Sequence, residues 1–323
     1  MFIQEYLFDP EAQAGLTVYL HEEKAEYERV GDRPFVMVIP GGGYSFCSER
    51  EAEPIALNFA AQGFHSGVLR YHVGTHRSFS HSLEDAEKAI AKIQELTSEW
   101  GIDSEKIAVI GFSAGGHLAA ALSTLSPMKP SLCMLGYPAI VSSFAAVMKI
   151  DAPSLEKCVT KDTPPTFLFS TFEDNVVPIE NSLAYLQALE EHEVPFESHI
   201  FQKGRHGLSL ATERFGNRKE MVDPRFARWF DECVEWLELN WADKVAQPAL
   251  FPDLGQWPIR ALLESGENKR LLLQAFPSWA DKSRLKIVKN ISLQQLLTIM
   301  PEAFENVSYQ KLVSQLIDPR KEE

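Results

Sequence analysis

The 323-residue sequence predicts an α/β fold in which a mostly parallel central sheet carries helices on both faces, followed by a small C-terminal helical appendage. Three observations carry that expectation. Short β-branched or aromatic runs alternate with helical patterns over roughly 200 residues, the signature of a covered parallel sheet. Glycine-rich turns follow some of the strand runs, and beyond Trp241 the strand runs stop. Sheets of this kind place their functional groups on loops at the carboxyl ends of strands.

The elements follow in order. Phe35–Ile39 is a continuous apolar run feeding Pro40-Gly-Gly-Gly43, as a buried strand entering a loop would be. A helical stretch at Glu51–Gln62 is closed by Gly63, and Phe64–Tyr71 reads as a strand. In Ser82–Trp100 the residues Leu83, Ala86, Ile90, Ile93 and Leu96 recur at three- and four-residue steps on one helix face, and Gly101 stops the helix. Lys106–Ile110 is the next strand, followed by Gly111-Phe-Ser-Ala-Gly-Gly116 and an Ala/Leu-rich helix. Leu132–Tyr137, Thr166–Ser170 and Phe196–Phe201 read as strands, and Ile179–Glu191 and Arg225–Leu239 as helices. Gln247–Pro252 looks like a linker, after which Ile259–Phe276, Ser292–Met300 and Tyr309–Ile317 have helical period. Two domains are therefore expected, 1–244 and 245–323.

Composition narrows the function classes. Apolar residues make up 45% and charged residues 24%, so a core of ordinary size is available and disorder is not the default. The net charge is −14; residues 245–323 stand at +1 and the remainder at −15. An acidic body without a basic run would repel a phosphate backbone, which disfavours nucleic-acid binding. The start of the chain has neither a basic nor an apolar segment of a secretory leader. Ile107–Met128 lacks Asp, Glu, Lys and Arg, but its four Gly or Pro, four Ser or Thr and one His divide it into a buried strand and a buried helix rather than a membrane span. Cys47, Cys133, Cys158 and Cys233 are scattered, so reduced thiols in a cytoplasmic protein are expected.

The strongest chemical signal is Gly111-Phe-Ser113-Ala-Gly115 between a strand and a helix. Glycines around the serine permit a turn tight enough to lift the Ser113 hydroxyl off the sheet edge, and the following helix N-terminus favours developing negative charge. Upstream, Gly42 and Gly43 can bring bare N–H groups to an oxyanion, together with the N–H of Ala114. The loop lacks both the dinucleotide-binding G-x-G-x-x-G pattern and the Gly-Lys-Ser/Thr of a phosphate-binding loop. A serine nucleophile needs a base and an acid, which on this kind of sheet follow in the order Ser, Asp/Glu, His. His206 follows a strand run between glycines, and Asp174 follows Thr166–Ser170, with Glu173 as its neighbouring alternative. His192 and His199 read as structural. His65, His72, His76 and His81 read as loop histidines without accompanying carboxylates at metal-ligand spacing, and no metal site is expected. His117 reads as a core residue. Tyr44 and Tyr137 are candidates to line a substrate pocket or to pack beneath it.

With these motifs in order, the chain resembles the α/β-hydrolase superfamily, and within it the bacterial acetyl esterase/lipase branch that includes acetylxylan and feruloyl esterases. The resembling stretches are PGGGYSFCSERE (40–51), SLEDAEKAI (82–90), WGIDSEKIAVIGFSAGGHLAA (100–120), PPTFLFSTFEDNVVP (164–178) and KGRHG (203–207). The resemblance implies Ser113, Asp174 and His206 as the triad, an oxyanion hole from Gly42, Gly43 and Ala114, and no cofactor. Many members have His where this chain has Pro40, and Pro offers neither an N–H nor a polar side chain to brace the loop. The expected activity is hydrolysis of short acyl esters, particularly acetyl groups on small molecules or oligosaccharides. A feruloyl or broad carboxylesterase, a peptidase on the same fold, and a binding protein with an idle triad are the alternatives. Oligomeric state, a homo-oligomer included, is left open.

Overall fold

The structure, a computed structural model, describes residues 1–22, 31–216, 218–242 and 253–319. The chain divides into two compact units, Met1–Trp241 and Ala242–Glu323. The expected boundary at 244/245 and the expected linker Gln247–Pro252 lie outside the described residues.

Among the described residues, the first unit holds one eight-stranded sheet. Its strands are β1 (Phe2–Asp9), β2 (Ala14–Leu20), β3 (Arg33–Ile39), β4 (His65–Arg70), β5 (Ile102–Phe112), β6 (Leu132–Gly136), β7 (Thr166–Thr171) and β8 (Phe196–Phe201). The order across the sheet is β1-β2-β4-β3-β5-β6-β7-β8. The β1–β2 and β2–β4 pairs are antiparallel and the remaining pairs are parallel. The sequence reading did not anticipate β1 and β2. Half or more of β1 faces solvent, and an exposed edge strand need not carry the apolar run that announces a buried one.

The central strands are apolar on both faces because both are covered. Phe35, Met37 and Ile39 of β3 join one core with α2 (Phe79–Trp100), α3 (Ala114–Thr124) and α5 (Glu180–Glu191). Val36 and Val38, pointing the other way, join a second core with α1 (Glu53–Ala61) and α6 (Trp229–Trp241). There the Trp229 ring stacks on Phe169 with centroids 4.2 Å apart. The short helix α4 (Ser142–Val147) follows β6. Ser78 caps α2 by accepting the His81 N–H, and Gly101 ends it in the left-handed conformation at φ 59°.

The second unit is helical, as expected, but its first predicted helix is split. α7 (Ile259–Leu262) ends before Ser265, whose hydroxyl accepts the Asn268 N–H and starts α8 (Gly266–Ala275). A serine that caps so well competes with helix continuation. α9 (Lys282–Val288), not anticipated, begins at the Asp281 cap; α10 (Leu293–Ile299) and α11 (Tyr309–Gln315) follow. Leu262, Leu272, Leu293, Leu296 and Phe304 belong to a core within this unit. Among the described residues, no helix is long and apolar enough to cross a membrane.

Two of the expected loop histidines are built into the fold instead. His65 opens β4 and is buried; its Nδ1 accepts the His21 N–H at 3.1 Å and its Nε2 donates to the Trp100 carbonyl at 3.0 Å. His72 is buried with its Nδ1 2.6 Å from Asp85 Oδ2, which also accepts the His72 N–H. Helix α2 supplies that carboxylate from 13 residues along the chain.

Burial holds His65 down to about 4 and His117, enclosed on α3, to about 3, against an ordinary 6.5. The unfolded chain therefore takes up these protons first as pH falls. Their contribution to stability is full above about pH 6.5 and is lost progressively toward pH 4 and below. The urea midpoint is expected to fall between pH 7 and pH 5, and the H65Q chain, measured in the same buffers, should show a shallower decline.

Candidate active site

The parallel strands β3, β5, β6, β7 and β8 end along one edge of the sheet, and each hands a functional segment to that edge. Strand β5 ends at Phe112, and Ser113 turns the chain into α3 with φ 52° and ψ −114°. A non-glycine residue at positive φ is strained and persists only when its surroundings hold it. Here the Ser113 N–H donates to the Gly136 carbonyl at 2.9 Å, and the Ser113 carbonyl accepts from His117 and Ala139. A side chain at Gly111 would strike the Gly115 carbonyl at 2.2 Å; one at Gly115 would strike the Ile39 carbonyl at 2.1 Å. Both glycines are therefore required for helix α3 to begin against the ends of β5 and β3.

The structure brings Ser113, His206 and Asp174 together across 93 and 32 residues of sequence. His206 Nε2 lies 2.8 Å from Ser113 Oγ, and His206 Nδ1 lies 2.7 Å from Asp174 Oδ2. The Asp174 side chain is 2% exposed and that of His206 15%. The other Asp174 oxygen accepts the N–H groups of Val176 and Val177 at 2.8 and 2.9 Å, so the carboxylate is oriented before it meets the imidazole. Glu173, the neighbouring alternative, is exposed. The loop carrying His206 is tied to β7 by the Thr171 hydroxyl donating to the Gly204 carbonyl, and to Asn175 by the His206 N–H.

The glycine loop after β3 runs beside the nucleophile. A Cβ on Gly41 would come 3.1 Å from Ser113 Cβ, and one on Gly42, where φ is 128°, would strike the Phe46 carbonyl at 1.9 Å. The Gly41 N–H is taken up by Glu51 Oε2 at 3.1 Å. Among the described residues, the N–H groups of Gly42, Gly43 and Ala114 have no acceptor within the protein. Pro40, which lacks a brace of its own, has its carbonyl held by the Tyr71 hydroxyl at 2.9 Å.

Tyr44 and Tyr137, weighed as pocket residues, both turn their hydroxyls inward. Tyr44 is fully buried and its hydroxyl meets His117 Nδ1 at 3.0 Å. Tyr137 is 2% exposed, and its hydroxyl donates to Glu51 Oε1 at 2.5 Å while accepting the Ser209 N–H at 3.1 Å. Their polar ends are therefore packing and bracing groups, because the hydrogen-bonding capacity a substrate would use is already filled. The Tyr137 ring still stands edge-on to His206 at 5.0 Å.

The sequence reading missed Glu51. It is 3% exposed, just ahead of α1, and one of three alternating acids (Glu49, Glu51, Glu53) at a helix start reads as a surface group. Nothing in the linear sequence announces that Tyr137, 86 residues on, meets it. Among the described residues, the side chains of metal-ligating type that converge are Glu197, His199 and Glu232, with ligand atoms within 4.8 Å of one another. His199 Nε2 there lies 2.8 Å from Glu197 Oε1, a hydrogen bond within β8.

A hydroxyl held by an imidazole, itself oriented by a buried carboxylate, is an activated nucleophile. A fluorophosphonate probe should label Ser113 in the intact chain and leave S113A unlabelled. In H206A, labelling should slow by about a thousandfold or more, as read by intact-protein mass spectrometry. Equal labelling of wild type and H206A would show that the observed hydrogen bond does not activate the serine.

Comparisons with known proteins agree with this fold. The BD-FAE family model matches residues 18–132, and that of the prolyl oligopeptidase family matches residues 144–235. Endo-1,4-beta-xylanase B of Butyrivibrio fibrisolvens is 33% identical over 246 residues, which is 66% of this chain and 38% of that protein. This chain thus spans well under half the length of that relative. MGS-M1, an α/β-hydrolase enzyme from a Medee basin deep-sea metagenome library, is 38% identical with a TM-score of 0.70, over 74% of this chain and 98% of that one. The acetyl ester-xyloside bifunctional hydrolase of Caldicellulosiruptor lactoaceticus is 33% identical with a TM-score of 0.62, over 72% and 91% of the two chains. With its sheet order, its strained serine turn and these relatives in agreement, the chain belongs to the α/β-hydrolase esterase family.

Proposed function

We propose that the chain is a serine esterase that hydrolyses short-chain carboxylic esters, with O-acetyl groups on xylo-oligosaccharide-type saccharides as its substrates. The observation that carries this reading is the Ser113–His206–Asp174 chain of hydrogen bonds at 2.8 and 2.7 Å, set beside the unengaged N–H groups of Gly42, Gly43 and Ala114.

The mechanism follows from those contacts. His206 Nε2 takes the Ser113 proton as Oγ attacks the ester carbonyl, and the charge that develops on the carbonyl oxygen is met by the three N–H groups. The tetrahedral intermediate collapses by breaking the ester C–O bond, and the alcohol leaves with the proton from Nε2. Water then gives a proton to Nε2 and attacks the acyl-serine; the acid departs and Ser113 regains its proton. Asp174 stays ionised throughout, holds the Nδ1–H tautomer and stabilises the imidazolium. No step requires a metal or cofactor.

The acetyl-saccharide substrate is supported by the Caldicellulosiruptor enzyme, a bifunctional acetyl ester and xyloside hydrolase, and by the xylanase relative. Residence in the cytoplasm is part of the same proposal, supported by four cysteines that are all free thiols. The prolyl oligopeptidase match spans the segment bearing Asp174 and His206, which an esterase and a peptidase on this fold would both need.

Hydrolysis of p-nitrophenyl acetate, butyrate and ferulate, with acetylated xylo-oligosaccharides alongside, tests the reading. Acetate is expected to be preferred and sugar acetyl groups released, with S113A slower by about a thousandfold or more. Intact sugar acetates in the presence of enzyme active on aryl acetates would replace the saccharide reading with that of a broad carboxylesterase. Preference for ferulate would make it a feruloyl esterase.

A further inference from the structure

Glu51 is an acid enclosed beneath the site that the triad does not use. Its two oxygens face two different segments: Oε2 accepts the Gly41 N–H of the glycine loop, and Oε1 accepts the Tyr137 hydroxyl at the end of β6. From Tyr137 the contacts continue into the segment that follows His206. The Tyr137 oxygen accepts the Ser209 N–H, the Ser209 hydroxyl donates to the Arg50 carbonyl at 2.6 Å, and Arg50 Nη2 donates to the Gly207 carbonyl at 2.9 Å. Trp229 Nε1 donates to the Ser209 carbonyl from α6.

This network joins three of the places where the backbone is strained. Tyr137 at φ 37° and Ser209 at φ 54° are both non-glycine residues in the left-handed region, as is Ser113, whose N–H is bonded to Gly136. Such conformations are held by their surroundings rather than by local preference. Burial and the Glu51 charge push the Tyr137 phenol well above its ordinary range, so it remains a donor at any working pH.

With one oxygen on each, the Glu51 carboxylate accepts from both segments at once. A glutamine in its place has one acceptor oxygen and one NH2 donor. With its oxygen on Tyr137, the NH2 faces the Gly41 N–H, donor against donor. With its oxygen on Gly41, its NH2 donates to the Tyr137 oxygen and the Tyr137 hydroxyl proton is left without an acceptor. Either way one buried donor is left without an acceptor, while side-chain volume is unchanged.

We propose that Glu51, with Tyr137, is a positioning pair that locks the oxyanion loop to the His206 loop, supplying the brace that Pro40 cannot. The inference rests on the serine esterase reading and deepens it. Glu51 touches neither substrate nor triad; it acts by fixing where the Gly42 and Gly43 N–H groups and the His206 ring stand. Misplacement of such groups by about 1 Å costs on the order of a hundredfold in rate.

The test uses the full chain with E51Q, Y137F and the double variant, assayed on p-nitrophenyl acetate at a temperature where each is folded by circular dichroism. E51Q is expected to lower kcat by about a hundredfold with KM within about twofold, because ground-state binding does not need the aligned donors. Y137F, which keeps the Gly41 link, should lose about tenfold, and the double variant should be no slower than E51Q because both cut one network. Fluorophosphonate labelling of Ser113 should slow in parallel. The inference is overturned if E51Q retains kcat within about threefold of wild type, if the two losses multiply, or if KM rises while kcat holds. If E51Q does not fold, Y137F decides alone: kcat within about twofold of wild type overturns the inference. Should the wild type cleave no ester yet label at Ser113, the esterase reading falls. The labelling rates of the variants then still decide the role of Glu51.

Discussion

The structure depends on a single strained residue. Ser113 sits at φ 52°, ψ −114°, a conformation an L-residue avoids, because only there does its hydroxyl stand clear of the sheet edge toward His206. Local preference opposes this turn by about 1–3 kcal/mol, so the rest of the fold must impose it. Strand β6 contributes the Gly136 carbonyl, and Gly115 lets α3 start in contact with the end of β3. Neither hold exists without the parallel sheet that brings β3, β5 and β6 side by side, and that sheet is rigid because both of its faces are covered.

The same edge explains why the remaining groups meet. Parallel strands all point their carboxyl ends one way, so segments distant in sequence leave the sheet within a few strand spacings of one another. Asp174 leaves β7 and His206 leaves β8, neighbours in the sheet, and the acid and base need only short loops to pair. The glycine loop leaves β3, next to β5, and reaches the nucleophile from the other side. Catalytic order along the chain thus follows from strand order across the sheet.

Polar groups beneath this edge are satisfied by partners within the protein. Tyr71 and Glu51 hold Pro40 and Gly41, Tyr44 meets His117, and Tyr137 meets Glu51 and Ser209. A buried acceptor or donor left open costs about 1–3 kcal/mol, so each such pairing also disciplines the backbone around it. Among the described residues, the His117 Nε2, Ser170 hydroxyl and Tyr185 hydroxyl are among the exceptions, buried without a partner. His117 is held neutral by its burial, which makes it a packing group against Tyr44 rather than a second base.

The sequence by itself determined the parts whose signal is local. The apolar run of β3, the three- and four-residue period of α2, the Gly101 stop and the Gly111–Gly115 turn each depend on neighbours within a few residues. The order of Ser113, Asp174 and His206 behind their strands was legible for the same reason. Only the tertiary structure decided what relies on residues far apart. It paired Asp85 with His72, turned the Tyr44 and Tyr137 hydroxyls inward, and enclosed Glu51 between Gly41 and Tyr137. It also added β1 and β2, of which β1 is an exposed edge strand that needs no continuous apolar run. A polar side chain carries no mark in the sequence of whether it will meet water or a partner. That choice is made by which surfaces the packed sheet and helices close off.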